Sequence, residues 1–447
     1  MSRKSNLMTD GVIWKHLVLF SIPLLIGNLF QQLYNTVDSI IVGNFVGSQA
    51  LAAVGASTPI INLLVGFFMG IATGAGIIIS QFFGARDESR LKSSIHTSFA
   101  LSIWFGIFLT VAGIIFSPYI LRLMKAPADV FDESVLYLRI YFLGSLFLLL
   151  YNMGAGILRA IGDSKRPLYY LCLSSVINII LDVVFVVGFK MGVAGVALAT
   201  LIAQAVSAIL LMIQLIRSKE SYAVHLKEMK VDTFILREII MVGIPTGLQQ
   251  VIISLSNAIV QSSINNFGSD AIAGCSAYLK LDGFMILPIM SFSMAATTFT
   301  GQNLGAKHYE RIYKGMRTSL LITTIYTLFA CLLMYFFGGE TLRIFTQDEN
   351  VLHYGRVMLD TIVPAYLSLA LMQSLVGTIR GAGKTIITMI LSVVSLCVIR
   401  VSWIFIILKV APSIEGIFLG YPISWIIGFI LMALYTWKGN WLPKENA

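Results

Sequence analysis

Charge is scarce in this sequence. Only 12% of its 447 residues are Asp, Glu, Lys or Arg, about half the share found in ordinary soluble domains. That deficit, beside a hydrophobic content of 57%, excludes a soluble protein. Cysteine is equally sparse: Cys172, Cys275, Cys331 and Cys397 stand singly in apolar runs, a spacing that fits neither a disulfide framework nor a zinc site and reads as small buried apolar side chains. The five histidines, His16, His96, His225, His308 and His353, fall at the ends of apolar runs or between them, which leaves proton handling at membrane depth to carboxylates. A signal peptide is not expected either. The start, Met1-Ser2-Arg3-Lys4-Ser5-Asn6-Leu7, is polar and has no short apolar core or small-residue cleavage site, so the first apolar run is expected to insert directly.

Apolar stretches of membrane-spanning length recur from Trp14 to Trp437, with the charges bunched between them. At about 37 residues per span and loop the chain accommodates twelve. The pattern places them near 15–43, 49–81, 94–118, 132–158, 166–189, 192–216, 236–266, 270–300, 315–338, 352–379, 385–409 and 413–437. No room is left for a soluble catalytic or nucleotide-binding domain, which argues against a pump driven by its own ATPase. The expected fold is an all-α polytopic membrane protein, twelve transmembrane helices in two pseudo-symmetric six-helix bundles. The lobes are predicted at 1–220 and 236–447, joined by a cytoplasmic linker at 221–235 inside the longest polar stretch, Arg217 to Asp232.

The formal charge of +9 does not point to nucleic acid, because the basic residues are spread among short loops and form no single basic face. Membrane topology accounts for them. With the N-terminus in the cytoplasm, 22 basic residues, Arg3, Lys4 and Lys444 among them, fall on the cytoplasmic side and five, Arg122, Lys125, Lys190, Arg343 and Lys409, on the other. Both termini are therefore expected in the cytoplasm of a cell whose inner (cytoplasmic) membrane holds the chain as a multi-pass protein.

An internal repeat is the most informative feature. Ser80-Gln81-Phe82-Phe83-Gly84-Ala85-Arg86 recurs 221 residues later as Gly301-Gln302-Asn303-Leu304-Gly305-Ala306-Lys307. The same offset pairs Gly47 with Gly268, Arg90 with Arg311, Thr97 with Thr318, Gly156 with Gly377, Arg159 with Arg380, Gly162 with Gly383 and Gly195 with Gly416. Six spans separate the copies, an even number, so the halves share one orientation and are expected to be related by an axis along the membrane normal. A two-lobed transporter with a central cavity follows. At these residues the sequence resembles the multidrug and toxic compound extrusion (MATE) family, whose doubled Gln-x-x-Gly-Ala and Arg-x-x-Gly motifs are here Gln81 to Ala85, Gln302 to Ala306, Arg159 to Gly162 and Arg380 to Gly383. The resemblance covers essentially the whole chain.

A carboxylate in mid-span costs about 2.5–3.5 kcal/mol on insertion scales, so one that persists is paired, protonated or functional. Asp38 is the first candidate. It follows Gln31, Gln32, Tyr34 and Asn35 on a polar face of an apolar helix, with Tyr34 four residues before it; an aspartate reaching headgroups near the helix end stays open as the alternative. Asn178 and Asp182 are likewise four apart in the fifth span, and Thr200 follows in the sixth. Together Asp38, Asn178, Asp182 and Thr200 can hold a proton between carboxylates or a hard cation on side-chain oxygens, with a purely structural hydrogen-bond network as the alternative. The resemblance implies the former, since MATE proteins place an amino-terminal-lobe cation site on an aspartate of the first helix and Asn, Asp and Thr of the fifth and sixth.

The second half does not repeat this site. At the 221-residue offset Asp38 becomes Ile259 and Asp182 becomes Trp403, and neither titrates. Some family members carry acids on the seventh and tenth helices, where this chain has Gln249, Gln250, Ser254, Ser256, Asn257, Gln373 and Ser374. Lys280, Asp282 and Arg400 are the mid-span charges there. They read either as a compensated ion-pair cluster or, with Tyr34, Gln250 and Asn257, as a second polar station for substrate or coupling ion. Gly381-Ala382-Gly383-Lys384-Thr385 imitates the end of a phosphate-binding loop, but Thr378 stands where the first glycine belongs and no strand precedes it, so a turn is expected.

The expectation is a secondary active antiporter and not an enzyme. No cofactor is expected beyond a coupling ion, H⁺ or Na⁺, and the chain is expected to work as a monomer on a small organic substrate. Export of amphipathic, often cationic, compounds is what the resemblance implies. A flippase for a lipid-linked sugar or related lipid is the alternative; it calls for a strongly basic central cavity, whereas mid-span basic residues here are chiefly Lys280 and Arg400. A membrane-embedded enzyme calls for a nucleophile or metal constellation at membrane depth, and none stands out.

Overall fold

A computed structural model describes residues 7–124 and 126–443. Arg3, Lys4, Lys125 and Lys444, which entered the charge count, lie outside the described residues. Among those described, eleven helices are long and apolar enough to cross a membrane, and a bent pair supplies a twelfth. In chain order they are α1 (Ile13–Val46), α2 (Gln49–Gly84), α3 (Glu88–Leu123), the bent α4 (Phe131–Leu143 and Ser145–Ala160), α5 (Lys165–Gly188) and α6 (Gly192–Ile216). The second half supplies α7 (Thr233–Asn265), α8 (Ser269–Gly305), α9 (Tyr309–Arg343), α10 (Glu349–Gly381), α11 (Thr385–Val410) and α12 (Ile414–Lys438). All twelve predicted spans are found. The unbroken helices run from 24 to 37 residues, and at about 1.5 Å per residue even the shortest exceeds the ~30 Å hydrocarbon core. Several overrun the spans read from hydropathy because their polar ends stay helical; Asp87, for example, caps α3 by accepting from the Arg90 N–H at 3.0 Å.

Helix is imposed by the solvent, since lipid offers no partner for a bare N–H or C=O. The repeated motifs mark where each helix is closed off. After α2 the Asp87 N–H donates to Phe82 O (3.1 Å) and the Arg86 N–H to Phe83 O (3.2 Å); after α8 the same pair runs from His308 to Asn303 (2.9 Å) and from Lys307 to Leu304 (3.0 Å). This is a Schellman ending, and it holds Arg86 and Lys307 at φ of 56° and 59°. Arg-x-x-Gly closes α4 and α10 by the same geometry, with Gly162 and Gly383 at φ of 87° and 79°, where a glycine carries no steric penalty. The sequence resembling a phosphate loop is this turn.

Packing repeats as well. A Cβ on Gly156 of α4 would stand 3.3 Å from the carbonyl oxygen of Ala72 on α2, and one on Gly377 of α10 would press directly into that of Ser293 on α8. Small residues let these helix backbones touch, the usual basis of association where burial from water supplies no drive. Three helices depart from regular α geometry in π-helical turns: Val42–Val46 ends α1, Val183–Gly188 ends α5 and Val394–Ile399 lies within α11. Such turns gather at functional sites, and Asp182 and Arg400 directly flank two of them.

The described chain divides into two compact units, one of residue 7 with residues 22–244 and one of residues 8–21 with residues 245–443. The boundary therefore does not fall in the polar linker at 221–235. That segment is docked on the amino-terminal unit: the His225 N–H donates to His96 Nε2 (3.1 Å), the Asp232 N–H to Thr97 Oγ1 (3.1 Å), and Lys92 pairs with Glu228. This ion pair, led by the hydrogen bond from Lys92, holds the Glu228 carboxyl below its ordinary range. Residues 8–21 belong with the carboxyl-terminal unit for an equally concrete reason. The Met8 N–H donates to Gln302 Oε1 (2.8 Å), and Met8 O accepts from Asn303 Nδ2 (3.3 Å) and from Arg311 Nη2 (3.1 Å). The change of unit comes just before Pro23 in α1 and just before Pro245 in α7.

Candidate functional site

The amino-terminal unit carries an open cavity of about 710 Å³ whose wall is drawn from α1, α2, α4, α5 and α6. Helical periodicity explains the lining. On α1, Gln31, Tyr34, Asn35 and Asp38 recur at three- and four-residue steps and face the cavity; Asn178 on α5 and Thr200 with Gln204 on α6 do the same. α4 contributes Tyr137, Tyr141 and Tyr151 around its 47° bend. The bend follows Gly144, where a Cβ would lie 3.0 Å from Gln204 Oε1; without one, the Gln204 side chain reaches the Tyr141 hydroxyl and hydrogen-bonds to it. The rings of Tyr137 and Tyr141 are stacked with centroids 6.4 Å apart.

The structure brings the four residues of the expected cation site into this one unit. Asp38, Asn178 and Thr200 line the cavity, and Asp182, with no exposed surface, stands behind it. The carboxyl groups of Asp38 and Asp182 face one another within hydrogen-bonding reach. Two carboxylates are both acceptors, however, so their approach satisfies neither. Asp38 Oδ1, both carboxylate oxygens of Asp182 and both amide atoms of Asn178 are buried without a hydrogen-bond partner, and neither aspartate forms an ion pair among the described residues. A buried pair of this kind is stable only when something positive lies between the oxygens. A single proton shared by the carboxyls fits, and so does a small hard cation taking side-chain oxygens from Asp38, Asp182, Asn178 and Thr200. A self-contained hydrogen-bond network does not fit, because its members leave each other unbonded.

The residues proposed for a second polar station separate. Tyr34 belongs to the cavity just described, beside Asp38. In the carboxyl-terminal unit Arg400, 3% exposed, donates from Nε and Nη2 to Ser424 Oγ (3.1 and 3.0 Å) and from Nη1 to Asn257 Oδ1 (3.3 Å), with its guanidinium 4.4 Å above the Tyr421 ring. Lys280 places its ammonium 5.1 Å from the Phe345 ring centroid, while Gln250 is exposed on α7. Asp282 is half-buried on α8 and has no ion-pair partner among the described residues. The ion-pair cluster is thus corrected. Residues two apart on a helix point to opposite sides, which keeps Lys280 from Asp282, and Arg400 is satisfied by neutral oxygens and an aromatic face. Sequence reasoning overlooked Tyr137, Tyr141 and Gln204; the four-residue step between the two tyrosines within an apolar span was the available signal.

Comparison with known proteins agrees with this fold. The profile of the MatE family matches residues 23–184 and again 245–406, two blocks that reproduce the internal repeat. The "Probable multidrug resistance protein YoeA" of Bacillus subtilis (strain 168) is 30% identical over 443 residues, covering 97% of this chain and 96% of the relative. The "Probable multidrug resistance protein YpnP" of the same organism is 30% identical over 435 residues, covering 97% of each. Among solved structures, the outward-facing conformation of a multidrug resistance MATE family transporter of the MOP superfamily superimposes with a TM-score of 0.91 at 25% identity, over 97% of each chain.

Proposed function

The chain belongs to the MatE family, and from that premise we propose that it is a secondary active antiporter, exporting amphipathic, often cationic, organic compounds in exchange for H⁺ or Na⁺ by alternating access. The observation that carries the coupling is the acceptor-against-acceptor meeting of Asp38 and Asp182, with the Asn178 amide beside them unbonded. Such a site gains its stability from the ion it takes up, so loading and unloading it changes the free energy of the surrounding helices. The tyrosine-lined cavity that Asp38 opens onto supplies apolar and cation-accepting walls for a substrate. The multidrug resistance names of the relatives support a small organic cargo. The weight of basic residues on one set of loops supports cytoplasmic termini, and the location of site and cavity within one unit of one chain supports a monomeric transporter.

Purified protein in sealed vesicles, given a proton gradient or a sodium gradient separately, tests this reading. Accumulation of a fluorescent amphipathic organic dye under one gradient and not the other identifies the ion. Accumulation that ignores both gradients and requires ATP overturns the proposal.

A further inference from the structure

The same cavity carries a cation that the coupling site does not use. Arg159, at the end of α4, lines its wall. Its guanidinium has five N–H donors, yet it makes no hydrogen bond and no ion pair among the described residues; Tyr151 is the titratable side chain near it. A guanidinium on a cavity wall with no side-chain partner of its own is free to take a ligand that brings one. The internal repeat supplies a control. Arg380, its counterpart 221 residues on, donates from Nη2 to Gln249 Oε1 (3.4 Å), while its Nε is buried without a partner. The position matching Gln249 at that offset is Asn28, one methylene shorter and itself on the cavity wall. In one half the guanidinium is buried and meets an amide; in the other it lines the cavity, open to a ligand.

The cavity is therefore polar in opposite senses at its two ends. Near Arg159 the Tyr151 hydroxyl donates to Pro167 O at 3.0 Å. From Pro167 to Asn178, at the acid pair, α5 advances three turns, about 16 Å. Tyr34 lies between, close to both Tyr151 and Asp38. A simple organic cation meets repulsion at the Arg159 end, whereas a carboxylate there gains a charge-assisted, bidentate partner.

We propose that this cavity selects aromatic amphiphiles bearing a carboxylate, zwitterions among them, with the acid group held by Arg159 and the ring system against the tyrosine wall. The inference rests on the export reading for its biological sense, but it is tested by binding alone. The probes are rhodamine 110, which carries a free carboxylate, and rhodamine 123, its methyl ester, which share one fluorophore. Fluorescence anisotropy with detergent-solubilised protein should show the acid binding about ten-fold or more tightly than the ester, the usual size of a hydrogen-bonded charge contact. Arg159→Gln should bring the two affinities within about two-fold by weakening the acid only, Arg159→Lys should fall between, and Arg380→Gln should leave the ratio as it was. A wild-type ratio near one overturns the proposal without any variant. An unchanged preference in Arg159→Gln or, if that protein does not fold, in Arg159→Lys overturns it equally. The two readings fail separately, since gradient-driven transport in vesicles tests the export reading and the rhodamine affinity ratio in detergent tests this one.

Discussion

Replacing Asp38 by asparagine should make the protein more stable while it stops coupled transport. The reason lies in the acceptor-against-acceptor contact. Asp38 and Asp182 present oxygens to each other, and three of those oxygens have no donor. The substituted amide would keep the shape and turn one oxygen into an N–H₂ group that can donate to Asp182, a hydrogen bond to a charged acceptor worth about 1.5–3 kcal/mol. The variant then imitates the ion-loaded state permanently. In the wild type that state is reached by binding; an ion at one hundred times its dissociation constant contributes about 2.7 kcal/mol. Two melting curves separate the cases. Wild-type protein in detergent should melt several degrees higher when the coupling ion is saturating, by changing pH or adding sodium, whereas Asp38→Asn should melt near the loaded wild-type value and respond to neither. The reasoning is refuted if Asp38→Asn melts below the ion-free wild type, or if it keeps the full ion-dependent shift.

Three further outcomes follow from the packing and hydrogen bonds. Gly377→Ala should cost about 1–3 kcal/mol, seen as a lower melting temperature, because its Cβ would press into the Ser293 carbonyl, while Gly156→Ala, with 3.3 Å of room, should cost less. Arg311→Ala removes the donors at 3.0 and 3.1 Å that hold the Asp10 and Met8 carbonyls, so hydrogen exchange at the Met8 amide should quicken by about ten-fold or more. Asp282→Asn breaks no ion pair and should leave coupled transport in vesicles at wild-type level; complete uncoupling would show that the carboxyl-terminal unit handles the ion.

The meeting of Asp38 and Asp182 in one candidate site was legible from sequence because a charge inside an apolar span is costly wherever it occurs, and both residues announce themselves by that cost. The four-residue steps from Tyr34 to Asp38 and from Asn178 to Asp182 then fixed which neighbours share a face. The helix ends were legible in the same way, because Gly162 and Gly383 answer to a backbone conformation that residue type alone can signal. What escaped depended on contacts between elements distant in sequence. Lys280 and Asp282 are neighbours in the chain and strangers in space, since helical rotation sends them apart. The bend at Gly144 needs the Gln204 side chain from another helix. Hydropathy has no term for Met8 binding Gln302, so the unit boundary was drawn at the polar linker and not within the helices α1 and α7.

The central claim is that ion flow drives export through the Asp38–Asp182 pair. Its most direct test is gradient-driven uptake into sealed vesicles, measured side by side for the wild type, Asp38→Asn and Asp182→Asn, with substrate binding checked in detergent for each. The account predicts that the wild type concentrates substrate only while the coupling-ion gradient lasts, and that both variants bind substrate without concentrating it. Uphill transport by either variant at the wild-type level would contradict the account and remove that residue from the coupling step.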